Sequence, residues 1–410
     1  MTNAVMTTVG AVLQRIEAGR STKTLERPAK DGELGILRVS AVTWGEFRPG
    51  ENKAMPLDYD PGNVPRAMQG DILISRANTR ELVGAPVMVE TDHPNLLLSD
   101  KILRLVPDCN IVAPRYLLRA LRSQAAALHF SQCAGGTSGS MTNITQGDIR
   151  ATPLRLPPLS EQHRIARILD KADALRAKRR EAIAKLDQLL QSVFLEMFGD
   201  PVTNPKGWPE GSIDIVASDR SAVRCGPFGT QLKVHELTEA GVPLWGIENV
   251  HDNRFVGSPS KFLSPEKAIQ LQAFEARPGD VLITRMGTIG RACVVPSNAP
   301  TGRISYHLFR IRPDPAKCLP EFLAATISRS GTFAQQLRKL ARGAIMAGLN
   351  TTVLKEVKFL LPPLELQRSY LDKVAAIDAV LSRQIQSAAQ LEHQFESLQH
   401  SAFTSVARND

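Results

Sequence analysis

A chain of 410 residues, 43% of them hydrophobic, is too long for one ordinary core, so two or more domains are expected. No apolar run reaches the roughly 18 residues of a membrane span, and the first residues show no basic stretch leading into an apolar one, so a cytoplasmic location is expected. Five scattered cysteines (Cys109, Cys133, Cys225, Cys293, Cys318) form no Cys-x-x-Cys pair, which argues against a zinc site and a disulfide framework.

In chain order, the first segment (1–155) carries "GILRVSAV" at Gly35 and "GDILISR" at Gly70. The second is a Gly-Asp turn running into a short strand rich in β-branched residues. "YLLRALRSQAAALHF" from Tyr116 reads as one amphipathic helix, followed by the polar Gly-rich loop "AGGTSGSMTNIT".

"LPPLSEQHRIARILDKADAL" begins at Leu156. Its prolines disfavour helix before them, Ser160 is placed to cap, and Glu161 suits the first turn, so a helix of about 40 residues, roughly 60 Å long, is predicted. Ile165, Ala172, Arg179, Leu186 and Val193 fall seven apart, and Ile168, Leu175, Ala182 and Leu189 form a second row, giving a heptad seam. Alone, such a helix would expose its seam, so a partner helix or its own domain must cover it. "FGDPVTNPKGWP" (Phe198–Pro209) marks a boundary dense in Gly, Pro and Asn.

The next segment (200–360) repeats the theme with "CGPFGTQLK" at Cys225, "PLWGIENV" at Pro243, "GDVLITR" at Gly279, the helical "EFLAATISRSGTFAQQLRKL" from Glu321 and the loop "ARGAIMAGLNTT". At Leu361 comes "LPPLELQRSYLDKVAAIDAV". A shift of 205 places Leu156 to Leu159 on Leu361 to Leu364, Gln162 on Gln367, Asp173 on Asp378, Leu186 on Leu391 and Phe198 on Phe403. The second helix has rows Val374, Leu381, Ala388, Phe395 and Ile377, Gln384, Leu391, Leu398. The chain therefore reads as A–B–A′–B′, with A about 155 residues and B about 40.

The formal charge of +9 is by itself a weak pointer to a nucleic-acid partner. The excess sits mainly in the two large segments. The first helix is basic (8 basic, 6 acidic) and the second acidic (4 basic, 6 acidic), so the two are complementary partners.

Catalytic signatures are missing. There is no G-x-x-x-x-G-K-[ST] phosphate cradle, no G-x-G-x-x-G after a strand and no G-x-S-x-G elbow. "HELTEA" at His235 has Glu239 where a zinc-protease helix needs its second histidine. The Asp-Pro-Pro-Tyr or Asn-Pro-Pro-Tyr tetrapeptide with which amino-methyltransferases hold an amine is also absent. A non-catalytic protein is expected.

The A–B–A′–B′ order, the "LPPLSEQ" lead-in, the "MFGDPVTNPKGWP" joint, "CGPFGTQLK" and the paired Gly-Asp strands together resemble the specificity subunit of type I restriction–modification systems over essentially the whole chain. In one departure, the second lead-in carries Leu366, where the first copy has Glu161. The resemblance implies two mixed α+β target recognition domains (1–155 and 200–360), each reading one half of a bipartite DNA site. Two helical spacers (156–199 and 361–410) would pair as an antiparallel coiled coil related by a pseudo-two-fold repeat and dock two methyltransferase subunits. It further implies S-adenosylmethionine bound by those partners, with no cofactor on this chain, and a motor-nuclease subunit for restriction. The competing readings are a helical adaptor that joins proteins without reading DNA, and a stand-alone enzyme.

Reading bases takes bidentate donors at base edges, and positioning takes cations at phosphates. Arg76, Asn78, Thr79 and Arg80 follow the first Gly-Asp strand, and Arg285, Thr288 and Arg291 follow the second. A structural role, pairing with a carboxylate, is the alternative for Arg76 and Arg285. The Gly-rich loops offer Thr137, Ser138, Ser140 and Asn143, then Arg342 and Asn350, against ordinary loop hydrogen bonding. Arg338 and Lys339 end a helix, where favourable placement at the dipole is the alternative to a DNA role. Tyr306 and His307 could meet a base or sugar, though a histidine on an apolar strand also suits a core. "RAKRR" (Arg176–Arg180) suits spacer DNA, a protein dock or a solvated helix face.

Overall fold

In the computed structural model, the described residues are 4–138, 141–329, 332–342 and 351–404. The chain packs as two compact units, Met1–Arg180 with Ser387–Asp410, and Glu181–Gln386. Each unit is closed by an antiparallel pair joining the two ends of its α+β segment. Val5–Thr8 lies against Pro153–Leu156 in the first, and Glu210–Ser212 against Lys358–Leu360 in the second. A segment whose ends meet can be attached to a helix without disturbing its own core.

The first unit holds a four-stranded antiparallel sheet in the order Leu13–Ala18, Ile102–Pro107, Ile72–Ser75, Pro86–Met88. The second unit has Val223–Cys225, Leu308–Ile311, Val281–Thr284, Ala292–Val294 in the corresponding order. Each unit adds a second sheet containing one parallel pair, Gly35–Leu37 with His93–Leu97 and Val242–Trp245 with Gly302–Ile304. The weak similarity of "GILRVSAV" and "PLWGIENV" thus marks equivalent strands. Both Gly-Asp turns are built alike. Gly70 and Gly279 take φ of +88° and +87°, where a Cβ would be strained. The following carboxylate caps the turn: Asp71 accepts from the Met68 N–H at 2.9 Å, and Asp280 from the Arg277 N–H at 2.9 Å.

The two long helices are α1 (Leu159–Phe198) and α2 (Leu364–Thr404). In the first unit the C-terminal part of α2 packs on α1 and the sheet core. Phe395 joins the cluster of Ile165, Ala166 and Leu169, and the Phe403 ring lies 5.5 Å from that of Tyr116. In the second unit the N-terminal part of α2 meets the C-terminal part of α1. Phe194 and Phe198 pack edge-on against Tyr370, at 5.8 and 5.3 Å between centroids. The helices therefore run antiparallel. Phe198 also meets Phe322 at 5.4 Å, the counterpart of the Phe403–Tyr116 contact.

The lead-in motif has a concrete job. The buried Gln162 side chain accepts from the Ala113 N–H at 2.8 Å and donates to the carbonyls of Ile111 (3.0 Å) and Pro157 (2.8 Å). Gln367 accepts from the Leu319 N–H at 2.9 Å and donates to Lys317 (3.4 Å) and Pro362 (2.8 Å). One amide thus ties each long helix to the loop that leads into the helix starting at Pro114 in the first unit and at Pro320 in the second. It satisfies backbone groups that would otherwise be buried unpaired.

Three local expectations are corrected. The helix α1 starts at Leu159, so Ser160 lies inside its first turn, and the Pro158 carbonyl accepts from Glu161 and Gln162. Each expected single helix from Tyr116 and Glu321 is two, Pro114–Leu121 with Gln124–Cys133 and Pro320–Arg329 with Thr332–Arg342. In the first case Ser123 breaks the run, accepting from the Ala126 N–H as an N-cap. The seam of α1 keeps the Ile165 row, but its companion row is Leu169, Arg176, Ile183, Leu190 and Met197, while Leu175 and Leu189 are exposed. Likewise, Leu398 on α2 is exposed.

Candidate nucleic-acid interface

In the first unit, the residues after the Gly-Asp strand and those of the Gly-rich loop come together. Gly135–Ser138, Met141–Asn143 and Ala77–Asn78 form a three-stranded ribbon, in which Asn143 lies opposite Ala77 and Thr142 opposite Asn78. Arg76 is exposed, and its backbone is locked on both sides: its N–H donates to Lys101 and its carbonyl accepts from Ile144. Asn78 donates through Nδ2 to Thr43 Oγ1 at 3.0 Å, and its Oδ1 accepts from the Thr79 N–H at 2.9 Å. Arg80, also exposed, donates from Nε to the Ser131 carbonyl at 3.2 Å. Thr79 and Asn143 are exposed. Ser138 ends its strand opposite Met141. Arg76, Thr79, Arg80 and Asn143 are thus exposed together on and beside the ribbon, with Asn78 spent partly on holding it.

The second unit differs. Arg285 is buried beneath the "CGPFGTQLK" loop. Its Nη1 donates to Cys225 Sγ at 2.8 Å and to the Tyr306 carbonyl at 3.3 Å, and its guanidinium stacks on Phe228 at 4.9 Å and faces Phe309 at 5.6 Å. Burial pushes the Cys225 thiol above its ordinary value, and Arg285 only partly offsets this. Thr288 is exposed, and its carbonyl accepts from the Thr284 hydroxyl at 2.5 Å. Arg291 is half-buried, 3.8 Å from Asp252. The His307 carbonyl accepts from the Arg285 N–H at 2.9 Å, and its ring lies against exposed Tyr306. Arg342 ends the Thr332–Arg342 helix, on which Lys339 is exposed; Asn350 lies outside the described residues, as does Ser140 in the first unit.

Within the basic run on α1, Arg176 is committed to helix pairing, while Lys178 and Arg180 are exposed. Arg176 bonds Glu392 through Nε at 2.8 Å, bonds Asp173 at 3.0 Å, and sits 4.1 Å above the Phe395 ring. Among the described residues no three His, Cys, Asp or Glu side chains cluster to hold a metal, and no helix is long and apolar enough to cross a membrane.

The sequence reading missed a cavity of about 320 Å³ in the second unit, between the "CGPFGTQLK" loop and Leu244, Lys261 and Tyr306–His307. No motif marks it, because its walls come from four separate stretches.

Residues 58–185, which hold the ribbon and the first lead-in, match the family described as type I restriction modification DNA specificity domain. The putative type I restriction enzyme MjaX specificity subunit of Methanocaldococcus jannaschii is 25% identical over 340 residues, 80% of this chain and 76% of that protein. The chain is thus similar in sequence to type I specificity subunits. Two Escherichia coli members are similar over shorter stretches: the EcoEI specificity subunit (29% identical, 38% of this chain) and the EcoKI specificity subunit (28%, 52% of this chain). The chain spans 27% and 46% of their respective lengths. The fold agrees over the whole chain. The S subunit from M. genitalium superposes with a TM-score of 0.58 at 15% identity, covering 99% of this chain and 97% of that one. A chain from a structure of complex assembly in the type I R-M system gives 0.58 at 20% identity, covering 97% of each. Two similar α+β units, each carrying part of both long helices, are thus a fold shared with these solved structures.

Proposed function

We propose that this chain is the DNA-reading, non-catalytic subunit of a type I restriction–modification complex. Residues 1–155 and 200–360 would each recognise one half of a bipartite duplex site, and 156–199 and 361–410 would serve as spacers and docks for two methyltransferase subunits. Those subunits would carry S-adenosylmethionine, and motor-nuclease subunits would join for restriction. The observation that carries this reading is the repetition of one strand order in two units whose exposed residues differ. Two similar scaffolds with different surfaces suit two unlike half-sites, as half-site geometry follows protein symmetry elsewhere. Arg76, Asn78, Thr79, Arg80, Ser138 and Asn143 are the proposed contacts of the first half-site, and Thr288, Arg291, His307, Arg342 and Asn350 those of the second; Arg285, expected from the sequence as a contact, is buried under Phe228 and Cys225 and holds the loop instead.

The deciding experiment is genome-wide mapping of methylated adenine with and without this gene, together with binding of the purified chain to duplex DNA at several salt concentrations. Loss of one interrupted motif on deletion is expected. A chain that binds a methyltransferase yet shows no sequence-selective, salt-dependent DNA binding would be a helical adaptor instead.

A further inference from the structure

The cavity of the second unit is built like a ligand site. Leu232, Val234, Leu237 and Leu244 supply apolar walls. Two of its lining residues each carry a buried side-chain atom without a protein partner: Ser305 Oγ, on a residue only 8% exposed, and His307 Nδ1. A buried hydroxyl left unpaired costs stability unless something bonds it. Burial, with Lys261 and Arg285 nearby, holds the His307 imidazole below its ordinary value despite Glu248, so at neutral pH the ring offers one donor and one acceptor nitrogen. Exposed Lys233 and Lys261 also belong to the lining. Glycine permits this arrangement: a Cβ on Gly226 would stand 1.9 Å from the Ser305 carbonyl oxygen, so only glycine lets the loop seat there.

We infer that this cavity binds a single nucleotide, its base between the apolar walls with a polar edge toward Ser305 Oγ and His307 Nδ1, and its phosphate toward Lys233 and Lys261. A volume of about 320 Å³ is ample for a base and sugar, and a flat, apolar-faced ring with a hydrogen-bonding edge matches such a slot. Two sources share this chemistry: a free nucleotide, or a nucleotide unstacked from the DNA bound by the subunit. Only the second source rests on the function proposed above.

The test uses the purified full chain and 2-aminopurine, whose fluorescence changes when it leaves a base stack. One arm titrates 2-aminopurine deoxyriboside 5′-monophosphate and the unphosphorylated nucleoside. The other places 2-aminopurine at successive positions of a duplex carrying the methylated motif. Saturable binding of the monophosphate identifies a free-nucleotide site, and a rise at one duplex position identifies the DNA source. In either case Ser305→Ala should weaken the signal at least tenfold. In the nucleotide arm Lys233→Gln with Lys261→Gln should weaken the monophosphate but not the nucleoside. Circular dichroism and thermal unfolding confirm that each variant is folded. If the duplex is bound and neither arm responds, or if any response ignores Ser305→Ala, the cavity proposal is overturned while the DNA reading stands. If no duplex is bound, the DNA reading fails and the monophosphate titration alone decides the cavity.

Discussion

Arg76 and Arg285 occupy the same point of the repeat, directly after a Gly-Asp strand, with equivalent backbone bonds to Lys101 and His307, yet one side chain is exposed and the other buried. The difference lies in what covers them. Phe228 and Cys225 close over Arg285, and Gly226 lets that loop approach.

The two arginines should therefore respond differently to removal. Arg285→Ala strips buried packing on Phe228 and Phe309 together with two polar contacts, and should destabilise the second unit by about 2–4 kcal/mol. Arg285→Met keeps most of the packing and removes a buried charge, so it should cost less than about 1 kcal/mol. Arg76→Ala should leave stability within about 0.5 kcal/mol. If Arg76 meets phosphate, its loss also reduces the salt slope of DNA binding by about one; if it reads a base, preference relaxes at one half-site. Thermal unfolding of the three variants, followed by salt-dependent binding, checks the division. An Arg76→Ala protein with unchanged DNA binding would remove it from the interface.

Gln162 and Gln367 provide a second test. Leucine at either position fills the space but orphans the Ala113 or Leu319 N–H and two carbonyls. Each substitution should cost about 2–4 kcal/mol. Local hydrogen exchange should rise at the Ala113 amide in Gln162→Leu and at the Leu319 amide in Gln367→Leu. Equal protection in wild type and variants would show that the amide is dispensable.

Acid sensitivity of the first unit should involve Glu17. Burial alone would raise its carboxyl, but hydrogen bonds from Arg15 and Arg104 outweigh it and hold the group below its ordinary 4.5. A lowered folded value means that the stabilisation is fully present above about pH 4.5 and is lost as pH falls through the folded value. Glu17→Gln should lower stability at pH 7 and flatten its decline below pH 4.5. A variant whose decline matches wild type would assign the acid response to other carboxylates.

The repeat, the helix pairing and the strands after Gly70 and Gly279 were legible because each leaves a local mark: a proline pair, a heptad row, a glycine needing positive φ. The true companion row of α1 was hidden by Arg176. A charged residue at a seam position argues against burial, until Glu392, Asp173 and Phe395 are seen around it. Leu175 and Leu189 look like seam residues and are exposed instead. The exposure of Arg76 against Arg285 was not readable either, because it depends on a loop some 60 residues upstream in the second copy. The cavity escaped for the same reason: its residues share a place and no sequence period.

The last prediction concerns the fragment 1–199, which keeps α1 and loses α2. In the full chain the end of α2 covers the first unit with Phe395 and Phe403, and Glu392 pairs with Arg176. Under the 205-residue shift these positions correspond to Leu190, Phe198 and Asp187 of α1. A second copy of the fragment can thus offer an apolar residue, an aromatic ring and a carboxylate where α2 stood. A two-fold pair satisfies both copies at once. The fragment should dimerise, and with its methyltransferase should modify a palindromic interrupted site made of two first half-sites. Pairing should be weaker than in the full chain, since two copies of the basic helix meet where a basic and an acidic helix paired before, and added salt should strengthen it by screening that repulsion. Phe198→Ala in the fragment should weaken dimerisation by about 2–4 kcal/mol. Analytical ultracentrifugation and methylation mapping test this directly. A folded fragment that stays monomeric at high micromolar concentration, with the methyltransferase present, would show that α1 cannot stand in for α2.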